Sequence, residues 1–184
     1  MLPIGPLMIE HRLIEKLLRH MEQALADARV RGEMDPSLVD SAVDFVRTYA
    51  DRTHHGKEED ILFRDLEKKS LSIDDARVMR ELVDEHVLGR EMVRRLVAAN
   101  HAYREGARES FAEVLEGISS LVQFYPKHIQ KEDKVFFPAA MGYFSAAEKD
   151  AMLVEMGEFD QKMIHEKYSG IVREVGQRLG GITT

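Results

Sequence analysis

At 184 residues the chain is long enough to bury a substantial core as one domain, 1–184. Its 26 basic against 33 acidic side chains, a net charge of -7, leave no basic excess to neutralise phosphates, which argues against nucleic acid as a partner. The absence of cysteine excludes disulfides, thiolate nucleophiles, cysteinyl iron–sulfur ligation and Cys-type zinc sites, so any bound metal must sit on nitrogen and oxygen.

The apolar pattern is helical from end to end. Helix one is predicted over about Leu7 to Val30, after Pro3 and Pro6, which favour an extended lead-in; Ile9, Leu13, Leu17 and Leu18 stand at helical spacing, and Gly32 marks the stop. Helix two starts at Asp35-Pro36, an N-cap candidate followed by proline at the first helical position, and runs to Lys69. Helix three covers about Asp74 to Arg104. Helix four covers about Ala107 to Met141, with Pro126 predicted to kink it just before His128. A fifth helix opens on the capping box Ser145-Ala-Ala-Glu148 and continues towards Leu179. No alternating strand pattern bounded by hairpin residues occurs. The first residues lack the basic and apolar regions of a secretory leader, and no stretch of 18 uncharged apolar residues exists. The expectation is therefore a cytoplasmic protein without a membrane span.

Within this helical pattern one phrase is written twice. Glu10-His11 and then His54-x-x-x-Glu58 are followed by Glu85-His86 and then His128-x-x-x-Glu132, the two halves being offset by 75 and 74 residues. Both copies share a tail, Ile61-Leu62-Phe63 after Glu58 and Val135-Phe136-Phe137 after Glu132. Residues i and i+4 lie on one helix face, so each His-x-x-x-Glu presents an imidazole and a carboxylate in the same direction. Counting along the rods at ~1.5 Å per residue puts His11 level with His54, and His86 level with His128. An all-α, up-down-up-down four-helix bundle over about 7–141, with the additional C-terminal helix at about 145–179, brings the four imidazoles into one layer. Four imidazoles and two carboxylates suit a pair of transition metals, because a carboxylate bridges two cations while imidazole terminates each; iron, manganese and zinc are the candidates by ligand type.

A single His-x-x-x-Glu is weak evidence. The chain holds five, at His11/Glu15, His54/Glu58, His55/Glu59, His101/Glu105 and His128/Glu132, and an ordinary i, i+4 pair adds only ~0.2–0.5 kcal/mol to a helix. Duplication, the shared apolar tail and the common level in the bundle single out His54/Glu58 and His128/Glu132.

The Glu10-His11 start, the segment His54-His55-Gly-Lys-Glu58-Glu59-Asp-Ile-Leu-Phe63, Glu85-His86, and His128-Ile-Gln-Lys-Glu132-Asp-Lys-Val-Phe-Phe-Pro138 together resemble the hemerythrin-like, HHE cation-binding family over about residues 7 to 141. The resemblance implies His11, His54, Glu58, His86, His128 and Glu132 as ligands of a non-haem di-iron centre, Glu58 and Glu132 bridging, with iron ahead of manganese or zinc. It also implies His54 and Glu58 over their neighbours His55 and Glu59. Oxygen-carrying members place a second histidine four residues after the first on the third helix, and here that position is Arg90. Arginine stays protonated and donates no lone pair, so it either orients an anionic adduct or pairs with a surface carboxylate. Ferritin-like bundles carry Glu-x-x-His instead, and no histidine here has Glu three residues before it.

The remaining residues suggest lesser roles. His55 and Glu59, turned about 100° from the ligand face, read as a helix-surface or inter-helix pair. His20 and His101 read as surface residues, His165 as a packing or surface residue, and Tyr125 as core that could reach the site's rim. The Met152, Met156, Phe159, Met163 stripe reads as an apolar face covering the bundle or meeting a second subunit in a homo-dimer. Two carboxylates facing each other also predict that Glu58 or Glu132 takes up a proton when metal is removed.

The functional expectation is a di-iron protein that binds or senses O2, NO or peroxide. The alternative is a redox enzyme, or an iron–sulfur-cluster-repair protein of nitrosative and oxidative stress, fed by an electron-donor protein. Repair proteins of this kind commonly carry a Cys-containing N-terminal domain that this chain lacks, and sequence alone leaves carrier, sensor and enzyme open.

Overall fold

The structure, a computed structural model, describes residues 1–178, with side chains as far as 172. It is all-α, and no strand occurs among the described residues. Helix α1 is Ile4–Arg31. Helix α2 is a continuous rod over 36–66, helix α3 is Ile73–Arg104, helix α4 is a rod over 110–140, and helix α5 is Ala146–Arg178. Consecutive rods run antiparallel through short connections; α1 packs on α2 and α4, and α3 packs on the same two, which closes the four-helix ring. Helix α5 lies outside it against α2. The expected end of α5 near Leu179 falls outside the described residues. Among those described, no helix is long and apolar enough to cross a membrane.

Local chemistry sets the ends of the rods. Asp35 caps α2 by accepting from the Ser37 N–H at 2.8 Å, with Pro36 in the first turn. Ser72 caps α3 through the Asp75 N–H, and Ser145 and Glu148 form the reciprocal capping box of α5. Gly32 ends α1 at φ 74°, a left-handed conformation that side chains with a Cβ resist. The extended lead-in expected at the N-terminus is instead the first turn of α1. Pro3 sits at φ -54° and Pro6 falls within that turn, where a missing N–H breaks no helical hydrogen bond. Helix α4 runs unbroken through Pro126 and departs from α geometry only at Glu132–Phe136.

The most consequential departure is in α2. After a normal start at Pro36–Phe45, the segments Val46–His55 and Glu58–Phe63 wind as π-helix, and the short turn Glu132–Phe136 repeats this in α4. π-Helix within a rod is uncommon and tends to occur at functional positions. All three wide segments adjoin or contain the duplicated His-x-x-x-Glu residues.

The apolar core divides into two clusters. One contains Leu18, Met21 and Leu25 of α1 with Val39, Leu96 and Leu121; the other contains Leu7, Leu62, Leu82, Phe136 and Phe137 with Met152 and Met156 of α5. In α1, α2 and α3 the residues of the duplicated phrase fall between the two clusters, and in α4 only Ile129 of the first cluster stands among them. A polar layer is thereby sealed by hydrocarbon on both sides.

Candidate metal centre

Every rod of the bundle sends an imidazole into this layer. His11, His54, His86 and His128 are each at most 2% exposed, and Glu58 and Glu132 are fully buried. The imidazole rings of His11 and His54 lie 4.5 Å apart, and those of His86 and His128 5.0 Å apart. Glu132 stands 3.2 Å from His11 Nε2 through Oε2 and 3.1 Å from His128 Nε2 through Oε1. Glu58 stands 3.5 Å from His54 Nε2 through Oε1 and 3.3 Å from His86 Nε2 through Oε2. Each glutamate therefore turns one oxygen towards each half of the layer. Donors about 2.1 Å from one ion and at right angles to each other lie about 3 Å apart, close to the separations seen here.

The far side of each ring is held as well. His11 Nδ1 faces Asp133 at 2.8 Å, His54 Nδ1 faces Glu10 at 2.9 Å, His86 Nδ1 faces Glu59 at 2.7 Å, and His128 Nδ1 faces Glu85 at 2.8 Å. A carboxylate at Nδ1 favours the tautomer with its proton there and leaves the Nε2 lone pair free. Lys57 in turn donates to Glu10, and Lys131 donates to Glu85. The duplication thus runs deeper than the ligand set: Glu10/Glu85, Lys57/Lys131 and Glu59/Asp133 correspond at the same offset of 75 or 74. The repeated tail has its place too, since Phe137 stacks on His11 at 5.7 Å and Phe63 on His86 at 6.0 Å.

The four Nε2 atoms and all four oxygens of Glu58 and Glu132 are buried without a hydrogen-bond partner. Such a concentration of unpaired polar atoms is costly unless something binds them, and a cation accepted by nitrogen and oxygen donors meets the need. Without metal, protons take part of that role. Burial disfavours the imidazolium of His11, but Asp133 and Glu132 outweigh it and raise its pKa to about 10. The same contest raises His86 to about 11 and His128 to about 9, with Glu132 prominent among the favouring groups in both. Burial likewise disfavours the Glu132 carboxylate, yet His128, His11 and His86 hold it well below the usual range. Of the two carboxylates expected to take up a proton in the metal-free protein, Glu58 or Glu132, Glu132 is therefore not the one. A pair of carboxylates is visible in sequence, whereas the surrounding imidazoles that take the protons instead are assembled only by the fold.

His55 takes the inter-helix alternative and not the surface one. It is not on the surface but 2% exposed, with its ring stacked on His86 at 3.9 Å and 5.5 Å from the ring of His128. Two causes act together. π-Helical winding turns successive residues through less than the about 100° of an α-helix, and a bundle helix buries a stripe wide enough to meet two neighbours. His54 consequently faces α1 while His55 faces α3. Glu59 does form an inter-helix contact, to His86 and Arg90. Arg90 itself pairs with Asp51 and Glu59 at 2.7 Å each, so the position where carriers have a ligand here holds the carboxylates that face the His55 and His86 rings. Tyr125 is core, 2% exposed, and parallel to the His55 ring at 6.3 Å. His20, His101 and His165 are exposed.

A cleft of about 290 Å³ opens between α2 and α3 and reaches inward to His55 and Tyr125 past Asp51, Gly89, Arg90 and Val93. On the opposite side α5 covers α2. Met152 and Met156 are buried there and Phe159 is half-buried, so the apolar stripe meets the bundle. Phe159 lies against Gly56, where a Cβ would come within 2.8 Å of the ring. The fully buried Lys57 bridges Glu10 and Asp160 of α5.

A family model described as Hemerythrin HHE cation binding domain matches residues 2–140. The chain belongs to the hemerythrin HHE cation-binding family. The match spans the whole of this HHE bundle and stops before α5. Among curated proteins, uncharacterized proteins of Mycobacterium bovis (strain ATCC BAA-935 / AF2122/97) and of Mycobacterium tuberculosis strains CDC 1551 and H37Rv are 23% identical over 181 residues, which covers 92% of this chain and 69% of theirs. No solved structure matches. Cation binding is thus a property of the family. The donor set fits it, with His11, His54, Glu58 and Glu132 offering atoms within 4.8 Å of one another.

Proposed function

We propose that the bundle holds two iron ions through His11, His54, Glu58, His86, His128 and Glu132, Glu58 and Glu132 each serving both ions, and that the pair binds or senses a small ligand such as O2, NO or peroxide. The observation that carries this reading is the set of buried Nε2 and carboxylate oxygen atoms without partners, each imidazole backed by a carboxylate at Nδ1. Manganese and zinc suit the same donors and rank behind iron on the strength of the family resemblance. Bound iron supplies redox chemistry and affinity for small oxygen and nitrogen species. The chain's own residues position the donors, fix their tautomers and exclude bulk water by the two apolar clusters. The cleft supports a small ligand, because about 290 Å³ is low beside the roughly 300–1,000 Å³ typical of sites for drug-sized molecules.

Metal analysis tests the site. Purified protein carries up to two irons per chain; Glu58→Ala or Glu132→Ala removes most of the metal, and His20→Ala or His101→Ala does not. Full loading of a Glu58→Ala/Glu132→Ala double variant would sink the assignment. Exposing the anaerobic reduced protein in turn to O2 and NO separates the roles. Stable adducts support binding or sensing, whereas continuous consumption with a reductant or electron-donor protein establishes a redox enzyme.

A further inference from the structure

Every buried histidine and glutamate of the metal layer has a counterpart of its own kind in the other half except one. His54, Lys57, Glu58 and Glu59 are matched by His128, Lys131, Glu132 and Asp133, but His55 is matched by Ile129. Ile129 is buried in the apolar cluster, as expected of a residue facing hydrocarbon. His55 is equally buried, yet an imidazole offers two polar nitrogens where isoleucine offers none. Its Nδ1 has no hydrogen-bond partner, and the nearest candidate, Asp51 Oδ1, stands at 3.5 Å. Asp51 is itself held by Arg90 at 2.7 Å, which keeps a carboxylate on that side of the ring as Asp133, Glu10, Glu59 and Glu85 do for the other four. His55, His86 and His128 each offer a nitrogen within 4.8 Å of the others, a group separate from that of His11, His54, Glu58 and Glu132.

We propose that His55 is a fifth imidazole ligand, completing with His86 and His128 a three-histidine position, so that the two metal ions are chemically unequal. The inference rests on the metal-centre reading above and extends it. Glu58 and Glu132 serve both positions, so the difference between them is one imidazole: three at the α3–α4 side and two at the α1–α2 side. Borderline cations favour imidazole, and the three-histidine position therefore fills first. Asp51 and Arg90 act through His55 as positioning residues. Arg90, at the place where a direct ligand on α3 is missing, supports a ligand supplied by α2.

Proton NMR of the protein loaded with cobalt(II) counts the ligands directly, because the N–H of each coordinated imidazole gives a separate, strongly shifted, exchangeable signal. Five such signals with two cobalt ions per chain are expected. Four signals with two ions retain the centre and overturn the role of His55; a chain that binds no cobalt, iron or zinc overturns both. Titration supplies the second measurement. His55→Ala lowers affinity for one ion by about tenfold or more while the other binds as before, and added imidazole restores the loss. His55→Gln, which keeps a polar side chain of similar bulk, should show the same selective loss with unchanged helicity by circular dichroism. Two ions held at unaltered affinity in both variants, or equal losses at both positions that imidazole does not rescue, count against ligation by His55.

Discussion

At the scale of single residues, the centre is specified by what lies behind each imidazole as much as by the imidazole itself. Glu10 illustrates the balance: burial pushes its carboxyl up, but His54 and Lys57 hold it below the usual range, so it stays a charged acceptor against the His54 ring. Glu85 is held down in the same way by His128 and Lys131 against the opposing effect of burial. Glu10→Gln and Glu85→Gln preserve shape while removing the charge that fixes the tautomer. Each should weaken metal binding by about 10–100-fold, the usual cost of losing such a partner. Glu22→Gln, at an exposed position of α1, should leave it unchanged. Competition with a calibrated chelator measures all three, and equal affinities across the set would remove the carboxylates from the design of the site.

At the scale of elements, α2 carries the greatest demand. It supplies His54, His55 and Glu58 to the layer, Glu59 to α3, and Lys57 and the Gly56 surface to α5, all from six consecutive residues. An α-helix with an ordinary apolar stripe could not aim so many neighbouring side chains inward and sideways; the π-helical winding on either side of Gly56 and Lys57 redistributes their directions. The buried lysine ties this segment to its cover. Lys57→Met removes the cation between Glu10 and Asp160 and should destabilise the fold by about 3 kcal/mol, the lower part of the range for breaking a buried pair, because Asp160 is partly exposed and Glu10 keeps His54. Chemical denaturation gives the free energy, and hydrogen exchange should show the loosening concentrated in α5. Uniform exchange with unchanged stability would mean that Met152, Met156 and Phe159 and ion pairs such as Arg64–Glu155 hold α5 without Lys57.

At the scale of the whole molecule, stability is coupled to pH through the layer. In the metal-free protein the folded-state values of His11, His86 and His128 lie above the ordinary imidazole value, at about 10, 11 and 9. A raised folded value means that the stabilisation is complete below about pH 6.5 and is lost as pH rises through the folded values. His55 has the opposite sign, being held well below its ordinary value by burial against the opposing contact with Asp51, so its contribution is lost towards acid. The melting temperature of metal-free protein should therefore fall steadily from pH 7 to pH 9.5. The metal-loaded protein should fall much less, because cations then occupy the nitrogens that protons would leave. Binding should also release protons to the medium and weaken as pH falls. Calorimetry with and without metal checks both statements, and parallel pH profiles for the two forms would exclude the coupling.

Much of this architecture is legible in the order of residues alone. The 75- and 74-residue offsets, the i, i+4 spacing and the level of the histidines along their rods depend only on helix periodicity and rise, which are properties of the backbone, and they lead to an up-down-up-down bundle and to six side chains that the fold does bring together. The supporting carboxylates are visible as well, written beside the proposed ligands in Glu10-His11, Glu85-His86, Glu58-Glu59 and Glu132-Asp133, but their pairing crosses from one helix to another and no local rule assigns it. Periodicity leaves His55 between a surface and an inter-helix role because an angle of about 100° between neighbours presumes α geometry and a single inward face. The winding of α2 and the presence of α3 beside α1 are decided by packing. The same holds for the protons: sequence displays two carboxylates that repel, and only the assembled layer encloses them in imidazoles that keep Glu132 charged. Periodic structure follows from the order of residues along one chain segment, whereas tautomer, protonation and the facing of adjacent side chains follow from contacts between segments, which come into being when the bundle closes.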